Sequence, residues 1–201
     1  MKESVVVYTA SIGRRMAPQR AWPGHDMVCF SDVRPSDPWR WVPITPQGDP
    51  TRQTRRIKIL PWEHFDGFDA CVWVDANIRL IRLPDLPADF AAHTHRDRDC
   101  IFDEAEKCIE HSKDDPAVIR AHIARYADHP AHWGLWETQM LYRRNTPVVR
   151  ALCEDWWREL DAGSRRDQLS LPVVLRRHGI QPVSLGPSVW RGSRWCKRFR
   201  K

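Results

Sequence analysis

The stretch Cys71–Leu80, CVWVDANIRL, decides how this chain reads. Cys71, Val72, Trp73 and Val74 form a continuous apolar run, the pattern of a strand buried on both faces between helix layers of a parallel sheet. Asp75 follows with no break, then Ala76 and Asn77. In open α/β sheets, ligands bind beyond the carboxyl ends of the strands. A spacing of two aims Asp75 and Asn77 at one point where such a strand opens into a turn. Two oxygen ligands suit a hard cation such as Mg²⁺ or Mn²⁺, which bridges diphosphate oxygens and stabilises the diphosphate as a leaving group. An Asx-turn closing the strand would use the same two residues.

The neighbouring segments repeat the apolar-then-polar pattern. SVVVYTASIG predicts a first strand over Ser4–Thr9, followed by a loop of small residues that lets backbone amides approach a nucleotide. DMVCFSD predicts a second strand ending at Asp32, on the same sheet edge, where its carboxylate would accept bonds from a base or ribose. The five prolines of residues 33–50 predict an irregular excursion. Asp49 and Pro50 read as N-cap and first residue of a helix that runs to Leu60 and stops before Pro61. Arg52, Arg55 and Arg56 share a face of that helix, with Lys58 nearby. Such a face grips phosphates or is simply solvated.

Downstream the pattern turns helical. Helices are predicted in CIFDEAEKCIEH, after Asp115-Pro116, after Thr146-Pro147 as far as Gly163, and from Ser164 toward His178, with Pro172 kinking or dividing the last. The fold class is α/β with a mainly parallel central sheet flanked by helices. Residues 1–190 make one domain and residues 191–201 a basic tail.

With 201 residues, 42% apolar and 29% charged, the chain suits one globular domain. Its apolar runs are far short of a membrane span, and the N-terminus lacks the apolar core and cleavage site of a signal peptide. Six cysteines without a CxxC pair read as reduced core thiols, which together predicts a cytoplasmic protein. Net charge is +6, and the last eleven residues, RGSRWCKRFRK, carry six Lys and Arg and no acid. That tail predicts contact with phosphate, nucleic acid or another anionic surface, or else a solvated terminus. Eleven tryptophans are enough to fill a core and also to line a cleft for sugars or bases.

Other chemistries are excluded or weak. No GxGxxG and no GxxxxGK[ST] occurs, which removes dinucleotide-type and P-loop sites. No GxSxG occurs, and no Cys has a His at a telling spacing. HTHRDRDC offers His93, His95, Asp97 and Asp99 as alternating zinc ligands, a pattern shared by exposed polar loops.

VVVYTASIG, VCFSD, RRIKILPWEHF, VWVDANI, RDCIFDEAEKC, GLWETQMLYRRN and SRRDQLSLPVVL, in that order, resemble a family of glycosyltransferase-like domains. The family includes bacterial polysaccharide-associated and plant mucilage-related proteins. It looks like a branch of the nucleotide-diphospho-sugar transferases with the GT-A fold, and the resemblance covers about Val5 to Gly179. It implies a nucleoside-diphosphate sugar donor held by Thr9, Ala10, Ser11, Ile12, Asp32, Arg55, Lys58, Asp75, Ala76 and Asn77. Asp75 matches the first acid of the metal-binding DxD-type motif, and Asn77 stands where the second acid would be. A divalent cation, Mn²⁺ or Mg²⁺, is therefore implied at Asp75 and Asn77. Glu137 and Asp167 match acids on the acceptor side, where an inverting transfer needs a general base. Trp136, Arg166 and Gln168 flank them as acceptor-binding positions. By spacing alone, Asp167 also fits a capping box with Ser164 as N-cap. The implied acceptor is a glycan or lipid-linked saccharide, and the basic tail adds a hydroxymethylated base in DNA. A non-catalytic module that binds an anionic glycan or nucleic acid is the alternative from another class.

Overall fold

The computed structural model describes residues 3–13 and 16–199. Strands β1 (Val5–Ser11), β2 (Asp26–Ser31) and β3 (Arg40–Pro43) open the chain, followed by helix α1 (Pro50–Ile59) and strands β4 (Ala70–Val74), β5 (Ile78–Leu80) and β6 (Phe90–Thr94). Helices α2 (Ile101–Glu110) and α3 (Pro116–Ala124), strand β7 (Trp136–Arg144), helices α4 (Pro147–Asp161) and α5 (Asp167–Arg177) and short strands β8 (Val183–Ser184) and β9 (Cys196–Arg198) complete it. The central sheet has seven strands in the order β3-β2-β1-β4-β7-β6-β8. Only β7 runs against the others. This is a mainly parallel α/β sheet, as the apolar runs of β1 and β4 predict, and it is consistent with a GT-A-like single domain.

Local chemistry explains most element ends. Asp49 caps α1 by accepting from the Thr51 amide at 2.8 Å, with Pro50 in the first turn. Asp115 and Thr146 cap α3 and α4 in the same way, each followed by proline. Two expectations are corrected. The proline-rich stretch is not wholly irregular, because Arg40–Pro43 pairs in parallel with β2 as an edge strand, the one sheet position that accepts proline. Pro172 does not divide α5, which runs unbroken from Asp167 to Arg177. It lies buried among Leu171, Val174 and Leu175, whose packing holds both halves together.

Every residue of β4 is buried, but the two faces have different covers. Tyr8, Trp73 and Leu141 face a core built with α1, α4 and α5. Val7, Val72 and Met140 face Leu185, Val189, Trp195 and Cys196, so the second cover is irregular chain and strand β9 rather than the expected helix layer. β9 pairs antiparallel with β5, and the Phe199 amide donates to the Asn77 carbonyl at 2.8 Å. The basic C-terminal segment is thus built into the domain through Phe199, while Arg200 and Lys201 lie outside the described residues. All six cysteines are buried and free. Among the described residues no helix is long and apolar enough to cross a membrane.

One buried arginine fixes α1. Arg143 of β7 is 1% exposed and donates to the Lys58 carbonyl at 2.6 Å, to the Ile59 carbonyl at 3.1 Å and to the Tyr8 hydroxyl. These carbonyls are the negative end of the helix, so a cation is favoured there. Tyr8 adds its own bond to the Lys58 carbonyl at 2.5 Å. With its main chain held, Lys58 can send its side chain toward the sheet edge.

Candidate active site

A cleft of about 620 Å³ opens at the carboxyl ends of β1 and β4. Its floor is Ala10 and Ser11 at the end of β1, Ile12 just beyond it, and Asp75, Ala76 and Asn77 after β4. One wall is the first turns of α1, including Thr51, Thr54 and Arg55. The opposite wall is His111–Lys113 after α2 and Arg165–Arg166 before α5. Asp75 is the one acid in this lining, set against Arg55, Lys113, Arg165 and Arg166. The wall after α2 carries no motif, and its only local mark is the left-handed turn at Ser112 (φ 48°).

At the floor four charges meet. Asp75 Oδ1 accepts from Trp73 Nε1 at 2.8 Å and lies 3.7 Å from Arg55 and 3.8 Å from Lys58. Asp167 Oδ2 accepts from Lys58 Nζ at 2.6 Å and from Thr138 Oγ1 at 3.0 Å, with Arg55 Nε at 3.3 Å. Lys58 is fully buried and Asp167 is 1% exposed. Burial alone would push the Asp167 carboxyl up, but Arg55, Lys58 and Arg166 outweigh it and hold it well below the usual carboxylate range. Burial, then the Arg55 charge, pushes Lys58 down to about 8 against the pull of Asp167 and Asp75. Asp167 is therefore held as an anion between two cations.

The basic face of α1 divides. Arg52 turns away and donates to the carbonyls of Leu160 and Gly163 at 2.6 and 2.5 Å, closing the end of α4. Arg56 pairs with Glu63 at 2.7 Å. Only Arg55 and Lys58 of this set point to the cleft floor.

The other sequence-read positions spread out. Ala10, Ser11 and Ile12 line the cleft, whereas Thr9 is buried within β1. Asp32 lies on the same sheet edge and accepts from the Gly13 amide with both oxygens at 3.0 Å, so it holds the turn after β1. Arg166 lines the cleft and donates to Gln168 at 3.3 Å, and Gln168 in turn donates to the Trp136 carbonyl at 3.2 Å. Trp136 is 6% exposed, and its ring packs against Trp133. Glu137 is not brought to Asp167. Its strand neighbour Thr138 bonds Asp167, while Glu137 accepts from Ser188 at 2.6 Å on the other face of the sheet.

The capping box at Ser164 is also corrected. Arg166 is the N-cap of α5 and Asp167 its first residue. The Ser164 amide donates to His122 Nδ1 at 2.9 Å and its hydroxyl to Asp114 at 2.7 Å, so neither is available to Asp167. The HTHRDRDC string does not converge on a metal. His93 is fully buried beside Ser193, His95 faces Glu104, Asp97 pairs with Arg96 and Asp99 with His132.

Asp75 Oδ1 accepts from Trp73 and faces two cations within 4 Å, so a divalent cation at Asp75 and Asn77 would compete with Arg55 and Lys58 for that carboxylate. The protein supplies positive charge at the position where the resemblance implies an ion.

Open, mainly parallel α/β sheets bind ligands at the carboxyl ends of their strands, and that is where this chain has its cationic cleft. A family model described as TOD1/MUCI70, glycosyltransferase-like domain, matches residues 36–185, and the chain belongs to that family. Its general function is accordingly glycosyltransferase-like. No curated protein matches the chain significantly.

Proposed function

We propose that this protein transfers a sugar from a nucleoside diphosphate to a hydroxyl acceptor, using its own cations to carry the charge of the leaving diphosphate. The observation that supports this most is the meeting of Arg55 and Lys58 at Asp75, at the carboxyl edge of a glycosyltransferase-like domain. The nucleoside lies over Ala10–Ile12. The diphosphate draws Arg55 and Lys58 from Asp75, while Asp167 keeps both from following it out of the cleft. Charge that develops on the leaving oxygen then meets donors already in place, which costs no reorganisation during the reaction. Asp167 is in this reading a positioning residue, and Glu137 takes no part in the cleft.

The acceptor is a glycan hydroxyl. β9 joins the Asn77 end of the cleft to a surface where exposed Trp190 lies 4.0 Å from Arg198 and 5.3 Å from Arg96, a platform for an anionic saccharide.

Thermal shift against a set of nucleoside-diphosphate sugars, in chelator and with added Mn²⁺, tests the reading. A ligand that binds only the folded chain raises the melting temperature. One sugar nucleotide is expected to do so in chelator, and Arg55→Ala to weaken its binding about 10- to 100-fold, as for loss of a charged hydrogen bond. A shift that requires Mn²⁺ would return the ion to the site. No shift with any donor under either condition would sink the reading.

A further inference from the structure

Away from the cleft, the start of α2 meets the loop that leads into β7. Cys100 is the N-cap of α2, yet its side chain makes no capping bond. Cys100 is 4% exposed and forms no disulfide. Asp103, one turn along, lies exposed beside it. His132 comes from the loop, in a left-handed conformation (φ 56°) that is rare for a residue with a Cβ. The loop is tied to the same place by the Gly134 amide, which donates to the Asp99 carbonyl at 2.9 Å. One ligand atom each from Cys100, Asp103 and His132 lies within 4.8 Å of the other two.

The donor types narrow the ligand. Thiolate, imidazole and carboxylate together suit a borderline-soft ion such as Zn²⁺, and a thiolate is a poor partner for Mg²⁺ or Ca²⁺. Asp99 Oδ1 lies 2.7 Å from His132 Nδ1, which leaves Nε2 to carry the lone pair. A carboxylate behind a ligating histidine in this way fixes its tautomer and orientation and raises its basicity.

We propose that Cys100, Asp103 and His132 bind one Zn²⁺, with Asp99 orienting His132. Three protein ligands leave a fourth position for water. Binding releases the Cys100 thiol proton to solvent. The ion would join the beginning of α2 to the loop that leads into β7, two segments joined in sequence only through α3 and its loops. HTHRDRDC reaches this site through its last two residues alone: Cys100 as a ligand and Asp99 as its support.

The test uses the full chain after chelator treatment. Calorimetric titration with ZnCl₂ is expected to show one ion per chain, with a rise in melting temperature. Co²⁺ is expected to give a thiolate charge-transfer band that Cys100→Ser removes. Asp99→Asn should weaken Zn²⁺ about 10- to 100-fold, and His132→Ala and Cys100→Ser by more than that. Asp75→Asn should leave Zn²⁺ binding unchanged, which separates this site from the cleft. Should Cys100→Ser fail to fold, His132→Ala, at an exposed position, decides alone. Absence of stoichiometric Zn²⁺ binding, or wild-type affinity in the His132→Ala variant, would overturn the proposal.

Discussion

Asp167 and Glu137 are both buried carboxylates, 1% and 4% exposed, and the central sheet lies between them. On one face Asp167 meets Lys58, Arg55 and Thr138 and is held well below the usual carboxylate range. On the other face Glu137 accepts from Ser188, and burial pushes its carboxyl up. Its neighbours there are His93, which burial pushes down to about 4, and Ser193. Equal burial thus gives opposite protonation preferences. Partners decide the charge, and the charged cluster is the one that opens to the cleft.

The largest effect should come from breaking the charged side. Lys58→Met leaves Asp167 buried with Arg55 as its remaining close cation, and stability should fall by about 3–5 kcal/mol in denaturant titration. A loss below about 1 kcal/mol would mean that the two sides of the sheet do not differ as described.

Acid titration probes the other side. His93 is kept neutral in the fold, so the stability it lends is full above its ordinary value of 6.5 and is lost as pH falls toward about 4. His122, also pushed down to about 4 mainly by burial, acts in the same window. His93→Gln should therefore remove part of the stability loss between those pH values, a change of roughly 2–3 kcal/mol. An unchanged pH slope would contradict a neutral His93.

Glu137→Gln should be the mildest, within about 1 kcal/mol, because the amide oxygen can still accept from Ser188. Its signature lies in pH instead. A raised carboxyl stabilises fully below its ordinary value and loses that contribution as pH rises through the folded one. Wild type should lose this contribution on going from acid to neutral pH, and the variant should not.

These contrasts also mark what the sequence could disclose. β1, β2, β4 and α1 are legible because apolar runs and an Asp-Pro cap are local signals. β7 is not, since Glu137 and Arg143 interrupt its apolar pattern and their partners are far away in sequence. The basic face of α1 is legible as a face. Which cations reach the cleft is not, because Arg52 is claimed by carbonyls 108 to 111 residues downstream. Asp167 reads as a cap only while Ser164 is free, and Asp114 and His122, 50 and 42 residues upstream, occupy it.

The reversed strand has a consequence for how the chain reaches this structure. β7 pairs with β4 on one side and β6 on the other, so neither inner edge is closed until Trp136–Arg144 is present. A nascent chain that has passed β6 but not β7 exposes two strand edges flanked by apolar residues, a template for association with other chains. Contacts over such separations also slow folding, because loop closure precedes the pairing that rewards it. Fragments that stop short of Trp136 should therefore aggregate, while those that include β7 and α4 should show the first cooperative unfolding.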